Sequence, residues 1–165
     1  MTTLADATPS WRFVLTHPAH FLAFGFGAGL ARRAPGTFGT LVAFPLFWLL
    51  NPRLAPMLFL ALIAVLFALG IWVCGKTGKD LGVHDHSGIV WDEITAFLLV
   101  LSFTPASLLW QAFAFVLFRA FDILKPPPID YLDKTVHGGI GVMLDDLLAA
   151  FYTLLCLAFL RTMIE

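Results

Sequence analysis

The chain has 165 residues, 59% hydrophobic and 13% charged, with a mean hydropathy of +0.87; a soluble domain carries roughly twice that charged fraction. A formal net charge of -1 removes any electrostatic case for nucleic acid. Two cysteines, Cys74 and Cys156, form no CxxC and suggest neither zinc nor a disulfide framework. Seventeen phenylalanines and five tryptophans suit lipid-facing helices with interfacial aromatics.

In chain order, the first twenty residues hold Asp6, Arg12, two histidines and two prolines. No apolar core of signal-peptide length fits among them, and no cleavable signal is expected. "GFGAGLARRAPGTFGT" (Gly25 to Thr40) contains GxGxG. No strand precedes it, which argues against a nucleotide fingerprint. Its glycines could permit close helix approach, or its amides could cradle an anion. "GTLVAFPLFWLL" (Gly39 to Leu50) is apolar, short and interrupted by Pro45. "NPRLAP" then predicts a tight turn, pairing this run in a hairpin with "APMLFLALIAVLFALGIWVC" (Ala55 to Cys74). That segment is uncharged and reaches the roughly 20 residues a bilayer requires.

Ile94 to Phe118 is too long for one untilted crossing and is broken by "SFTPAS", since Pro105 disfavours helix at Thr104. "KPPPID" (Lys125 to Asp130) ends a helix. "HGGIG" (His137 to Gly141) predicts flexible backbone before the last apolar run, Leu147 to Leu160. Most ionisable residues fall in Lys76–Glu93 and Arg119–Asp146. A hairpin turning at Pro105 puts both groups on one side of the membrane. Arg32, Arg33, Lys76, Lys79, Arg119, Lys125 and Lys134 then share that side, which the positive-inside rule makes cytoplasmic; Arg53 and Arg161 fall outside. The expectation is one all-α domain over 1–165: a small multi-pass membrane bundle with helical hairpins and a polar active site on the cytoplasmic side.

Two stretches carry the chemistry: "KTGKDLGVHDHSGIVWDEI" and "FRAFDILKPPPIDYLDKTVHGGIGVMLDD". One acidic pair at a helix start complements the helix dipole, by about 0.3–1 kcal/mol. Two such pairs, Asp92-Glu93 and Asp145-Asp146, with Asp122 at another helix end, ask for more. Carboxylates gathered at a low-dielectric boundary repel unless something positive sits among them. Magnesium, which prefers carboxylate and water oxygens, is the natural partner. Arg119 and Lys125 beside it suit a phosphate. Arg119 and Asp122, three apart, share a helix face and could meet that phosphate and its metal together, or form an ordinary surface pair. His84 and His86 could ligate metal, shuttle protons or do neither.

Together with "GLARRAPGTFGTL", these stretches closely resemble the bacterial phosphatidylglycerophosphatase A family, in the same order from about Gly25 to Ala150. The resemblance implies a magnesium-dependent inner-membrane hydrolase. Its reaction would remove the terminal phosphate of phosphatidylglycerophosphate on the cytoplasmic side, giving phosphatidylglycerol and inorganic phosphate. The motifs fall on Lys79, Asp80, Asp92, Glu93, Arg119, Asp122, Lys125, Asp133, Asp145 and Asp146. Among them, Asp80, Asp92, Glu93, Asp122, Asp145 and Asp146 are the expected metal ligands, and Asp92, Glu93, Asp122 and Asp146 the catalytic set. Lys79, Arg119 and Lys125 are expected on the substrate. One departure is Ala96, where the family often has glycine.

The expected partners are the lipid substrate and the bilayer, with no nucleic acid and no obligatory protein partner. Two alternatives stay open: a small cation channel or transporter using the same carboxylates, and a phosphatase of another lipid phosphate. Transport favours ionisable residues at the bilayer midplane, whereas these apolar runs are free of charge at their centres. Within the acidic pair, neighbours point about 100° apart. Asp146 shares a face with the small residues Ala149, Ala150 and Thr153, so it is expected to point into the bundle, leaving Asp145 a different task.

Overall fold

Prolines open three of the helices. The computed structural model describes residues 9–83 and 85–164, and the regular structure among them is helical throughout. Two short helices, α1 (Trp11–Val14) and α2 (Pro18–Ala23), and a 3-10 turn at Gly25–Leu30 precede α3 (Pro35–Leu50). A 3-10 turn at Asn51–Arg53 leads to α4 (Pro56–Leu81), then α5 (Trp91–Phe103), α6 (Leu108–Leu124), α7 (Ile129–Thr135) and α8 (Gly139–Ile164). Pro18, Pro35 and Pro56 sit in first turns, where a missing N–H costs no helical hydrogen bond. Pro45 lies inside α3, which runs through it.

Helix α5 is the axis of the bundle. Ten of its thirteen residues are buried, so its all-round hydrophobicity is that of a central helix. Helices α3, α4 and α8 pack along it, while α2 lies on α4, and α6 and α7 on α8. The turn at Asn51–Arg53 matches the expected tight connection. Its two helices flank α5 more than each other, the rings of Phe47 and Phe59 meeting at 5.7 Å. As expected, the apolar stretch breaks at Pro105: Thr104 is extended and ends α5. Helix α4 runs on past Cys74 to Leu81 and stops at Gly82, whose φ of +74° suits the left-handed terminator.

The start of α8 differs from the expectation. Gly139 and Gly141 belong to the helix rather than to a flexible lead-in, because α8 begins against the backbone of α4. A Cβ at Gly139 would overlap the Ile71 carbonyl. Asp145 and Asp146 therefore lie well inside α8, beyond the first turn, where the helix dipole gives little reason for them. Asp92 and Glu93 do lie in the first turn of α5.

Helices α4 and α8 have 26 residues each and are apolar enough to cross a membrane. Each spans about 39 Å at 1.5 Å per residue, more than the roughly 30 Å hydrocarbon core. Their outer faces expose Met57, Leu58, Val65, Trp72, Phe151, Leu155 and Phe159. Two buried hydroxyls are satisfied within their own helices: Thr95 donates to the Trp91 carbonyl and Thr153 to that of Ala149, both at 2.8 Å. Such bonds spare a span in hydrocarbon the cost of unpaired polar groups.

Candidate active site

Two helices, α5 and α8, converge on one carboxylate group. Asp92 and Glu93 come from the first turn of α5 and Asp146 from the second turn of α8, with one oxygen of each inside a set no wider than 4.8 Å. All three are buried, at 8%, 9% and 2% exposure. Ala149, Ala150 and Thr153, on the face of α8 that carries Asp146, are fully buried. Such small residues let helices approach closely.

Asp92 Oδ1, Glu93 Oε2 and Asp146 Oδ2 are buried and lack a hydrogen-bond partner. A buried unpaired carboxylate oxygen costs several kcal/mol, and three carboxyl groups with oxygens within 4.8 Å of one another repel when charged. An oxygen-only donor set of this kind fits a hard divalent cation. The sequence expectation that these residues can hold a metal has its structural counterpart here.

Arg119, on the last turns of α6, stands beside the group. Its Nη1 lies 2.6 Å from Asp122 Oδ2 and 3.6 Å from Glu93 Oε1, and donates to Thr40 Oγ1 at 3.3 Å. Its buried Nε has no partner. Asp122 lines the same cavity as Asp146. The residue that lets α3 come this close is Gly36. A Cβ there would overlap the Glu93 carboxylate and lie 2.9 and 3.1 Å from Arg119 Nη2 and Nη1.

Asp145 faces elsewhere. Its Oδ2 is 2.8 Å from Lys125 Nζ, which also bonds Asp133 Oδ1 at 2.6 Å. Burial opposes the charge on Lys125, but these two carboxylates outweigh it and raise its pKa above the ordinary lysine value. Lys125 thereby ties α7 and α8 to the end of α6. A cavity of about 290 Å³ is lined by Asp92, Glu93, Arg119, Asp122, Lys125, Asp145 and Asp146, with Asp85, Ser87 and Gly36 among its other walls.

Lys79 and Asp80 are not brought into this cavity. They line a separate one, of about 720 Å³, between α4 and Gly138–Gly139. There Asp80 bonds Lys76 at 2.8 Å and His20 Nε2 at 3.1 Å, while His20 Nδ1 meets Thr77 Oγ1 at 3.0 Å. Burial lowers the His20 pKa, with Asp80 opposing. This network fastens α2 to α4. His86 lies beside the 3-10 turn, where burial lowers its pKa, Asp85 opposing; His84 lies outside the described residues.

Gly36 and Thr40 were not singled out by the sequence. Their signal was the glycine-rich "PGTFGT", legible as close approach but silent about what approaches. Ala96 is buried, one helical turn beyond Asp92 and Glu93 on α5.

The family model described as phosphatidylglycerophosphatase A matches residues 21–161. The phosphatidylglycerophosphatase A of Haemophilus influenzae is 46% identical over 154 residues, 92% of this chain and 94% of that protein. The protein of the same name from Escherichia coli is 43% identical over 139 residues, 84% of this chain and 80% of that one. A Bacteroides thetaiotaomicron protein, provisionally named a phosphatidylinositol-3-phosphatase, is 38% identical over 148 residues, 85% of this chain and 91% of its own. No solved structure matches at a significant level.

Proposed function

The chain belongs to the phosphatidylglycerophosphatase A family, and from that premise we propose that it hydrolyses the terminal phosphate monoester of phosphatidylglycerophosphate. The observation that carries this reading is the trio of buried, unpartnered carboxylate oxygens beside a buried arginine.

We assign Asp92, Glu93 and Asp146 to hold magnesium. When bound, the ion would polarise the phosphoryl oxygens and make a bound water more acidic. The remaining steps belong to the chain. Arg119, held through Nη1 by Asp122, Glu93 and Thr40, keeps its other N–H groups as donors for phosphate oxygens. A guanidinium so held loses little entropy on binding. Asp122 orients Arg119 and, lining the same cavity as Asp146, is placed to accept a proton from the attacking water. Lys125 neutralises Asp145, so that the adjacent Asp146 can face the cation with fewer competing charges. Lys79 and Asp80, in their separate cavity, are assigned to the substrate's approach rather than to the reacting phosphate.

Membrane placement follows the same reading. The two long apolar helices support membrane association, and we propose a multi-pass inner-membrane protein with its carboxylate end cytoplasmic. Arg53 lies in the α3–α4 turn, and Arg161 borders a cleft with Phe103 and Pro105, at the end away from the acids. The other cations expected on the cytoplasmic side lie towards the carboxylate end. A monoester at headgroup level could enter the cavity while its acyl chains stay in the bilayer.

The test is phosphate release from phosphatidylglycerophosphate by the purified protein in mixed micelles, with magnesium and with excess chelator. Release that depends on magnesium is expected. Undiminished release in chelator would refute the metal role, and release only from a different lipid phosphate would refute the substrate.

A further inference from the structure

A second cavity, of about 740 Å³, adjoins the carboxylate cavity and shares Pro35 and Ser87 with it as walls. Its lining includes Ser10, Arg32, His86 and Ser87 and holds no carboxylate. The neighbouring cavity, by contrast, is lined by six. An anion repelled from most of the first cavity's wall meets no carboxylate in the second and finds Arg32, His86 and two serines there.

The donors are fixed by geometry. Gly88 N–H donates to His86 Nδ1 at 2.9 Å, so that nitrogen is the acceptor and Nε2 carries the proton. The backbone amides of the 3-10 turn are already committed, Gly29 N to the Phe24 carbonyl and Ala31 N to that of Ala28. Recognition therefore falls to side chains: the Arg32 guanidinium, the His86 Nε2–H and the serine hydroxyls. Arg32 is exposed and makes no ion pair with another described residue, so its full charge is available. The walls are also held together before any ligand arrives. Val90 N donates to the Ala23 carbonyl at 2.8 Å, and Gly29 lies so close to Gly88 that a Cβ on it would overlap the Gly88 carbonyl.

The substrate has two phosphates, a terminal monoester and an internal diester, joined by a glycerol. Two adjoining cavities, one built for a metal and one for an anion alone, match that pair. We propose that the Arg32–His86–Ser87 cavity binds the internal phosphodiester while the monoester occupies the carboxylate cavity. This rests on the hydrolase reading and adds to it the origin of substrate selectivity. A monophosphorylated lipid leaves the second cavity empty.

The experiment compares phosphatidylglycerophosphate with phosphatidate, which has the same acyl chains and only the monoester, in identical mixed micelles with magnesium. For Arg32→Ala, kcat/KM on phosphatidylglycerophosphate is expected to fall about tenfold more than on phosphatidate, mainly through KM, as fits loss of one charge-assisted contact. Arg32→Lys should recover part of the ratio. Arg33→Ala, an exposed neighbour outside the lining, should move it less. If Arg32→Ala lowers both substrates equally, the cavity does not read the diester. If that common loss disappears in micelles without anionic carrier lipid, the cavity holds a bystander lipid, and the proposal fails too. A wild-type protein inactive on phosphatidylglycerophosphate would instead overturn the hydrolase reading, and the subsite with it.

Discussion

Gly36→Ala is the most discriminating small perturbation. In the first turn of a helix the change would ordinarily stabilise, by up to about 0.5–1 kcal/mol, because alanine loses less backbone entropy than glycine. Here the added methyl meets the Glu93 carboxylate and both terminal nitrogens of Arg119. The carboxylate must withdraw by about 1 Å, and overpacking of this kind costs roughly 1–3 kcal/mol. The net expectation is a modest loss of stability. The larger effect is on chemistry: an ångström of displacement in a positioning group costs on the order of 100-fold in rate, and two such groups move here. Phosphate release would be measured beside thermal unfolding in the same detergent. The expected variant folds, melts slightly lower and loses about two orders of magnitude in kcat/KM. A variant that is more stable than wild type and fully active would show that α3 does not press on Glu93 and Arg119.

The two adjacent aspartates should separate experimentally: Asp146→Asn is expected to lose direct manganese binding, read by electron paramagnetic resonance, and at least about 100-fold in kcat, whereas Asp145→Asn keeps the manganese signal. The reverse pattern would invert the assignment. Lys125→Ala strands a buried carboxylate and should destabilise by about 2–3 kcal/mol, below the range for fully buried pairs because Lys125 is partly exposed. Adding Asp145→Asn should restore part of the loss in denaturant unfolding; strictly additive losses would deny the pairing. Single cysteines at Ser87 and Thr135, in a chain lacking Cys74 and Cys156, should label from one side of the membrane and a cysteine at Ser107 from the other. Labelling of Ser87 and Thr135 from opposite sides would break the shared cavity.

Much of this arrangement was legible locally. Proline stereochemistry placed the break at Thr104, and helix periodicity put Asp146 on the face of the small residues and Asp145 on a bulkier one with Leu148 and Tyr152. What was not legible depends on contacts between distant segments. "HGGIG" reads as loop because glycine is a poor helix former. Yet Gly139 is helical, because only a residue without a side chain fits against the Ile71 carbonyl. Asp80 looks like one more acid of the first cluster. Its place on α4 turns it to His20, sixty positions earlier and far outside any local pattern. Gly36 belonged to a visible motif, but nothing near it in sequence names Glu93 or Arg119 as its neighbours.

The interior of α5 bears on the choice between hydrolysis and transport. A cation leaving the carboxylates toward the other end would have to pass Phe97, Leu98, Val100 and Leu101, each at most 1% exposed and packed against neighbouring helices. Hydroxyls along the way do not form a relay. Thr95 and Ser102 donate to carbonyls four residues back in their own helix. Gln111, farther along α6, accepts a hydrogen bond from Trp48 Nε1 at 3.1 Å. Moving an ion through such a core without polar partners costs many kcal/mol. The same packing suits hydrolysis, since a dry floor beneath the carboxylates strengthens their hold on a cation and on a phosphate. The acids thus have an opening on one side and a closed apolar wall on the other, a geometry for a reaction at the membrane surface and not for passage across it.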